Sequence, residues 1–253
     1  MFADYLTRGV KAGLVAGLVF GLFMAVVANP LVAFADETAH ADGGHDHDHA
    51  IGGEHGHDDT AVSTVVTKTV SVVSGGLWAV LLGGAVFGIG YFFLEPAIPG
   101  TGATKSYVLG AAGFVTVSGA PWLVLPPVAP GARQSIPVET RLLLYGGMMA
   151  AGVFTCLLAG YVYNRLSASR GRVTAVVGAV CPFGLLAVPA LLAPTNAVDG
   201  TLSPELRAGL TGLFVFGQAL LWLTLAAAHA QFTPDGSRGD DSTARAGSAV
   251  TAD

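Results

Sequence analysis

Six long stretches of the chain carry no Asp, Glu, Lys or Arg, and they constrain its fold more than any other feature. Each is about 20 residues long, the length that a helix needs to cross roughly 30 Å of hydrocarbon. Because lipid offers no partner for backbone N–H and C=O groups, each span is predicted to be α-helical. The spans are Ala12–Ala35, Thr69–Leu94, Tyr107–Leu125, Leu142–Asn164, Val173–Ala193 and Ala208–Ala228. The sequence therefore predicts an all-α, polytopic integral membrane protein with about six transmembrane helices.

The composition agrees with a membrane protein and argues against several other classes. Apolar residues make up 52% of the chain and charged residues only 11%, whereas soluble domains carry about a quarter charged residues. The net charge is −5 and no basic run is present, so a nucleic-acid partner is not expected. The stretch from Gly100 to Ser106 loosely resembles a phosphate-binding loop, but Thr104 stands where that motif needs glycine. No Gly-x-Ser-x-Gly motif occurs, and the protein is not predicted to be an enzyme.

The flanking bases predict which side of the membrane each loop occupies, since cytoplasmic loops carry the excess of Lys and Arg. With the amino terminus inside, the inner side holds Arg8, Lys11, Lys105, Arg165, Arg170, Arg172, Arg238 and Arg245. The outer side then holds Lys68, Arg133, Arg141 and Arg207. This distribution predicts a multi-pass protein of the plasma membrane with both termini in the cytoplasm.

The first span has two interpretations. Arg8 and Lys11 precede an apolar run that ends in a small-residue pattern at residues 33–35, as in a cleavable signal peptide. However, Gly9, Gly13, Gly17 and Gly21 recur every four residues, which predicts a smooth helix face for close packing and a retained helix. The expected organisation is a first transmembrane helix (1–35), an external loop (36–68), a five-helix membrane bundle (69–230) and a disordered cytoplasmic tail (231–253).

The loop is the part of the sequence most informative about function. Six of the seven histidines fall within it, interleaved with acids and without any Lys or Arg between Asp36 and Asp59. Imidazole and carboxylate together suit divalent Co, Ni, Zn or Cu. The candidate metal ligands are Asp36, Glu37, His40, His45, Asp46, His47, Asp48, His49, His55 and His57. Because glycines are frequent here, the ligands are not pre-organised and capture should be exchangeable. The alternative is a solvated acidic linker whose histidines cluster without binding metal.

Polar groups inside the spans are few: Asn29, Cys156, Cys181, Gln218, and His229 at the inner end of the sixth span. A carrier that exchanges zinc at mid-membrane would need His or Asp facing a shared site, and such a set is not evident. Glu95 flanks a span and is interpreted as an interfacial anchor. Pro30, Pro121, Pro182 and Pro189 fall in or beside the odd-numbered spans, so broken helices are predicted to form an outer vestibule. The alternative is that these prolines only mark helix ends.

Three segments together resemble the cobalt transporter subunit family CbtA. The first is Asn29-Pro30-Leu31 followed by Asp36-Glu37 and the His-rich loop. The second runs from Gly110 through Ala120-Pro121-Trp122 and the Leu-Pro-Pro-x-x-Pro-Gly segment at 125–131 to Glu139-Thr-Arg141. The third comprises residues 189–194, residues 202–206 and Gln218-Ala-Leu-Leu-Trp222. The Leu-Pro-Pro-x-x-Pro-Gly segment is the most specific of these.

The resemblance implies cobalt uptake for cobalamin synthesis and a small, single-span, histidine-bearing partner subunit called CbtB. No tightly bound cofactor is expected; the metal is captured or transported, with cobalt first and nickel or zinc as alternatives. One rival interpretation is a metal-tolerance or sensing protein that translocates nothing. Another is a structural membrane subunit whose loop is only a linker.

Overall fold

A computed structural model describes residues 2–34, 77, 79–128, 132–200 and 202–233. Within these ranges the backbone forms six helices, which we number in chain order. They are α1 (Phe2–Phe34), α2 (Ala79–Leu94), α3 (103–122), α4 (Val138–Arg170), α5 (Arg172–Leu192) and α6 (Pro204–Phe232). Two short strands, β1 (Arg133–Gln134) and β2 (Val198–Asp199), form one antiparallel ladder. The prediction of an all-α fold is confirmed.

Four of these helices, α1, α4, α5 and α6, are long and apolar enough to cross a membrane. The described part of α2 is shorter because it begins at Ala79, whereas the predicted span begins at Thr69. In α3, Lys105, Ser106 and the hydroxyl residues of its second half lower the apolar content. Each helix nevertheless coincides with one predicted span, and the four long helices establish a polytopic membrane protein.

Several helices depart from regular α geometry at defined places. Wider π-helical turns occur at Met24–Ala28 in α1, Gly83–Gly90 in α2 and Val115–Gly119 in α3. In α5 the segment Cys181–Leu186 tightens into a 3₁₀ helix. It contains Pro182, which lacks an N–H and cannot continue the α-helical hydrogen bonding. π turns in α-helices are frequent at functional sites, so the segments in α1, α2 and α3 are candidate positions for such a site.

Helices α1 and α2 pack closely through glycines, as the fourfold repeat predicted for α1. A Cβ atom added to Gly9 would overlap backbone atoms of Gly83 and Gly88. A Cβ added to Gly13 would lie 2.5 Å from the carbonyl oxygen of Ala79. The helix backbones therefore touch here, as in the small-residue interfaces of membrane proteins. The predicted helix face for close packing in α1 is thus observed against α2.

The core has two main parts. Phe87, Leu109, Leu221, Trp222 and Leu225 are buried where α1, α2, α3 and α6 meet. A smaller cluster joins α3, α4 and α5 around Ala120, Val124, Met148 and Leu186. Large apolar side chains elsewhere point outward, with Leu18 72% and Leu191 84% exposed, as expected for helices that face lipid.

The bundle has two chemically different ends. At one end, which we call the loop end, α1 finishes at Phe34 and the β1–β2 ladder pairs Arg133 with Asp199. At the other, the basic end, Asn164 Nδ2 of α4 donates a 2.9 Å hydrogen bond to the carbonyl of Ala97 between α2 and α3. The basic end gathers six bases: Arg8, Lys11, Lys105, Arg165, Arg170 and Arg172. The loop end holds three of the bases in the described ranges: Arg133, Arg141 and Arg207.

Candidate functional site

A cavity of about 470 Å³ lies in the half of the bundle nearer the loop end. Helices α1, α3, α4 and α6 surround it, together with residues 127 and 128. Its lining residues are Phe20, Phe23, Met24, Ala28, Val117, Ser118, Trp122, Pro127, Val128, Tyr145, Leu213, Phe214, Gly217 and Gln218. None of the described residues that line it is charged. Its described lining is therefore uncharged and partly aromatic, and it lies towards the end of the bundle where α1 finishes at Phe34.

A few polar groups give this cavity its chemistry. Ser118 Oγ donates a 3.4 Å hydrogen bond to Oε1 of Gln218, across α3 and α6. The Tyr145 hydroxyl donates a 2.7 Å bond to the carbonyl of Val117, which lies in the π-helical part of α3. The π-helical part of α1 contributes Met24 and Ala28 to the lining. Two of the three π-helical segments of the described chain thus flank one chamber.

The vestibule hypothesis is only partly matched by this cavity. Pro127 is the proline among the described lining residues. Pro121 is buried in α3 next to Trp122 and is not one of them. Pro182 and Pro189 belong to α5, which packs on α4 and does not line the cavity. The chamber lies at the expected end, but the prolines of α5 do not shape it.

At the basic end, polar side chains from three helices form a cluster. The Tyr5 hydroxyl of α1 donates a 2.6 Å hydrogen bond to Oε2 of Glu95, the residue that follows α2. Lys105 Nζ of α3 lies 3.9 Å from Oε1 of the same carboxylate. The Arg8 guanidinium lies 5.4 Å from the centre of the Tyr5 ring. Glu95, interpreted from the sequence as an interfacial anchor, therefore joins three helices.

His229 extends this cluster into the interior. It lies in the last turn of α6 and is only 1% exposed. Its Nδ1 atom is 2.9 Å from Ser106 Oγ of α3. Its ring centre lies 5.1 Å from that of Phe87 and 4.7 Å from that of Tyr91, both in α2. The imidazole is thus held by one hydrogen bond and two aromatic rings.

The second ring nitrogen of His229, Nε2, differs from Nδ1 in its surroundings. Nε2 is buried and has no hydrogen-bond partner among the residues that the structure describes. A buried polar atom without a partner costs about 1–3 kcal/mol, so such an atom calls for an explanation. An ionisable side chain inside a membrane protein is a candidate functional group by default.

The predicted metal ligands lie outside the described residues. They are Asp36, Glu37, His40, His45, Asp46, His47, Asp48, His49, His55 and His57. Within the described ranges, no three His, Cys, Asp or Glu side chains gather into a metal site. Cys181 is exposed on α5, and its Sγ lies 3.7 Å from the carbonyl of Val177.

The cluster around His229 and Glu95 was missed by sequence reasoning, although a signal for it exists. Six alternating spans place the start of α1, the α2–α3 turn and the end of α6 at one side of the bundle. Tyr5, Glu95, Lys105, Ser106 and His229 all fall in those segments. The alternating direction of the spans therefore predicts that these residues lie at the same end. That Ser106 contacts His229 is seen only in the packed structure.

The family model described as "Probable cobalt transporter subunit (CbtA)" matches residues 2–234, nearly the whole chain. No curated protein and no solved structure matches the chain.

Proposed function

Because this chain belongs to the CbtA family of cobalt transporter subunits, we propose that it moves cobalt into the cell with a His/Asp-rich loop as its external collector. The match over residues 2–234 carries the assignment to cobalt transport. The loop adds the step of capture, since its six histidines and interleaved acids form a ligand set for divalent cations. No enzymatic step is assigned to the chain.

The position of the loop supports the capture role. The loop follows Phe34 in the sequence, and Phe34 ends α1 at the loop end, the end that holds the cavity. A ligand-bearing segment tethered beside an entrance raises the local concentration of ions there. The cavity then serves as the entry chamber, in which the Gln218 amide and the Ser118 hydroxyl meet a hydrated cation.

The distribution of bases supports an orientation with both termini in the cytoplasm. The basic end gathers six of the bases in the described ranges and the loop end three. Because cytoplasmic segments carry the excess of Lys and Arg, the loop end faces outward and the basic end inward. The loop and the cavity are then exposed to the metal that the cell imports.

A partner completes the transporter, since the family description names a subunit. We assign this role to a small single-span, histidine-bearing chain of the CbtB type, which the sequence resemblance implies. Such a chain would add histidine ligands to a bundle whose described residues contain no three-ligand site. Cobalt is the first choice of metal, with nickel and zinc as the other candidates.

Cobalt uptake by proteoliposomes that hold the chain and its partner tests this function. The matched variant replaces the six loop histidines with asparagine, which keeps the loop's length and its acids. We expect the half-saturating cobalt concentration to rise at least tenfold, with little change in the maximal rate, because the loop collects ions but does not form the path. Uptake equal to that of empty liposomes for the unaltered pair would reject transport and favour a tolerance or sensing role. Unchanged half-saturation in the variant would reject capture by the loop.

A further inference from the structure

The hydrogen bond between Ser106 and His229 sets which ring nitrogen is available to a ligand. If Ser106 Oγ accepts the proton of Nδ1, at the observed 2.9 Å, the lone pair of the imidazole lies on Nε2. Nε2 is the atom that has no partner within the described part of the chain. Histidines that bind metals characteristically donate their other N–H to an oxygen, which fixes both the tautomer and the ring orientation.

The surroundings of the ring restrict what can use that lone pair. Phe87 and Tyr91 hold the imidazole from the α2 side. Ser106, whose oxygen lies beside Nδ1, is itself fully buried. The ring is therefore oriented by its neighbours, as a ligand must be, and its remaining nitrogen has no hydrogen-bond partner in the described part of the chain.

A carboxylate is available in the same cluster. Glu95 follows Tyr91 by one helical turn, its N–H donates a 2.8 Å hydrogen bond to the Tyr91 carbonyl, and the Tyr91 ring contacts His229. Glu95 is paired with Lys105 at 3.9 Å, across side chains that are 35% and 22% exposed. Ion pairs of this exposed kind contribute little to stability, so Lys105 can leave the carboxylate at small cost. Glu95 then offers a negative charge to a cation, while Arg8 remains over the Tyr5 ring.

We infer that Nε2 of His229 is a ligand for the transported divalent cation at the inner end of the bundle, with Glu95 as the accompanying carboxylate. The assignment rests on the transport function proposed above, which supplies a cation that must leave at this end. One imidazole and one carboxylate, completed by water, form a weak and exchangeable site. Such a site suits release to the cytoplasm better than a closed site with three or four protein ligands would.

The chain offers a clean spectroscopic test, because His229 is the only histidine outside the loop. The six loop histidines are replaced with asparagine in the full-length chain, which is labelled with ¹⁵N-histidine and placed in nanodiscs. His229 then gives the only two imidazole nitrogen signals. Without metal, we expect the pattern of a neutral ring protonated at Nδ1. Adding Zn²⁺ should shift the Nε2 signal far more than the Nδ1 signal, and adding Co²⁺ should broaden Nε2 first.

Two results in this test would overturn the assignment. One is a ring protonated at Nε2, which leaves no lone pair for a metal. The other is an Nε2 signal that millimolar Zn²⁺ or Co²⁺ does not change. Both are read without transport, so they separate a failure of this site from a failure of the transport function.

Transport by the chain with its native loop gives a second readout. His229→Gln is expected to lower the maximal rate of cobalt uptake at least tenfold at saturating metal, with a smaller change in half-saturation. Ser106→Ala keeps the ligand but loosens its orientation, and a loss of about 10- to 100-fold in metal affinity at Nε2 is expected, the range for groups that orient metal ligands. A folded His229→Gln chain with the unaltered maximal rate would refute the role in transport.

Discussion

The Tyr5 hydroxyl donates a 2.6 Å hydrogen bond to Glu95, which joins the first turns of α1 to the end of α2. The two residues are 90 positions apart, so the contact depends on the close packing of both helices. Lys105 of α3 reaches the other oxygen of the same carboxylate. The basic end is thereby closed by side chains from three helices, at the end of the bundle opposite the cavity.

Removing the Tyr5 hydroxyl should weaken this closure without disturbing the apolar packing of the ring. Tyr5→Phe is expected to lower the free energy of unfolding by about 1 kcal/mol, the contribution of a typical hydrogen bond, since Glu95 is partly exposed. Denaturation in detergent measures the change. Tyr161→Phe is the matched control, because Tyr161 is 67% exposed. Equal stability of the two variants would contradict the closure.

Replacement by alanine should lower the stability of the protein at Gly13, but should leave it unchanged or raise it at Gly146. In Gly13→Ala the new methyl group would lie 2.5 Å from the carbonyl oxygen of Ala79 and 2.8 Å from Cα of Val80, backbone atoms that cannot turn away. We expect a destabilisation of about 1–3 kcal/mol, as for other overpacked sites. A methyl group on Gly146 of α4 meets no described atom within 4 Å apart from its chain neighbours and the adjacent backbone of its own helix. Gly146→Ala should therefore be neutral or stabilising by up to about 1 kcal/mol.

Thermal unfolding of both glycine variants, compared with the unaltered chain, decides this prediction. If Gly13→Ala were as stable as Gly146→Ala, the close approach of α1 and α2 would be wrong.

The sequence predicted those features that repeat locally. The fourfold spacing of Gly9, Gly13, Gly17 and Gly21 is visible along one helix, and all four are buried in the structure. The helix ends extend beyond the predicted apolar spans, because turns that carry charged residues continue a helix beyond its apolar part. Thus α1 begins at Phe2 instead of Ala12, and α4 spans Val138–Arg170 instead of Leu142–Asn164.

Features that depend on distant packing could not be predicted in the same way. Ser106 and His229 are 123 residues apart, and nothing near either residue indicates the other. The α2 partners of the glycine face, Gly83 and Gly88, lie in a π-helical segment that apolar spacing does not reveal. The cavity combines side chains of four helices, so its lining follows only from their arrangement.

The orientation can be tested by labelling single cysteines in a chain whose Cys156 and Cys181 have been replaced with serine. A cysteine at Gly53 should react with an impermeant thiol reagent added outside intact cells. Ser169→Cys should react only after the membrane is opened, because it lies at the basic end. Ser169 is exposed and so makes a better probe than Gly171, whose φ of 84° strains any other residue. The reverse pattern would place the loop in the cytoplasm and favour storage or sensing.

The loop should bind metal in a way that depends on pH. A peptide covering Asp36–Asp59 is expected to bind Co²⁺, Ni²⁺ or Zn²⁺ with micromolar affinity at neutral pH. Affinity should fall as the pH drops through about 6.5, because protons compete with the metal for imidazole nitrogens. Calorimetry measures both the binding heat and the protons released. A peptide with asparagine at the six histidine positions is the control, and equal binding by both peptides would assign the metal to the carboxylates.

A substitution in the cavity that we assign as the entry chamber should change the maximal rate of uptake, whereas a substitution in the loop should change the half-saturating concentration. Gln218 and Ser118 are joined at 3.4 Å in a cavity that no charged residue of the described chain lines. If a hydrated cation passes there, the amide of Gln218 replaces part of its water contact. Gln218→Leu removes that contact and should raise the barrier by about 1 kcal/mol, which corresponds to a roughly fivefold lower maximal rate. The half-saturating concentration should change little, because capture occurs in the loop.

Cobalt uptake at saturating metal distinguishes this effect from general damage to the helix. Gln218→Asn keeps an amide in the cavity and should retain most of the rate. Phe216→Leu alters the same helix on its outward side, where Phe216 is 57% exposed, and should transport normally. If Gln218→Leu kept the full maximal rate while remaining folded, the ion would not pass this amide. If all three variants lost rate equally, the loss would come from the packing of α6, and the cavity could not be assigned as the entrance.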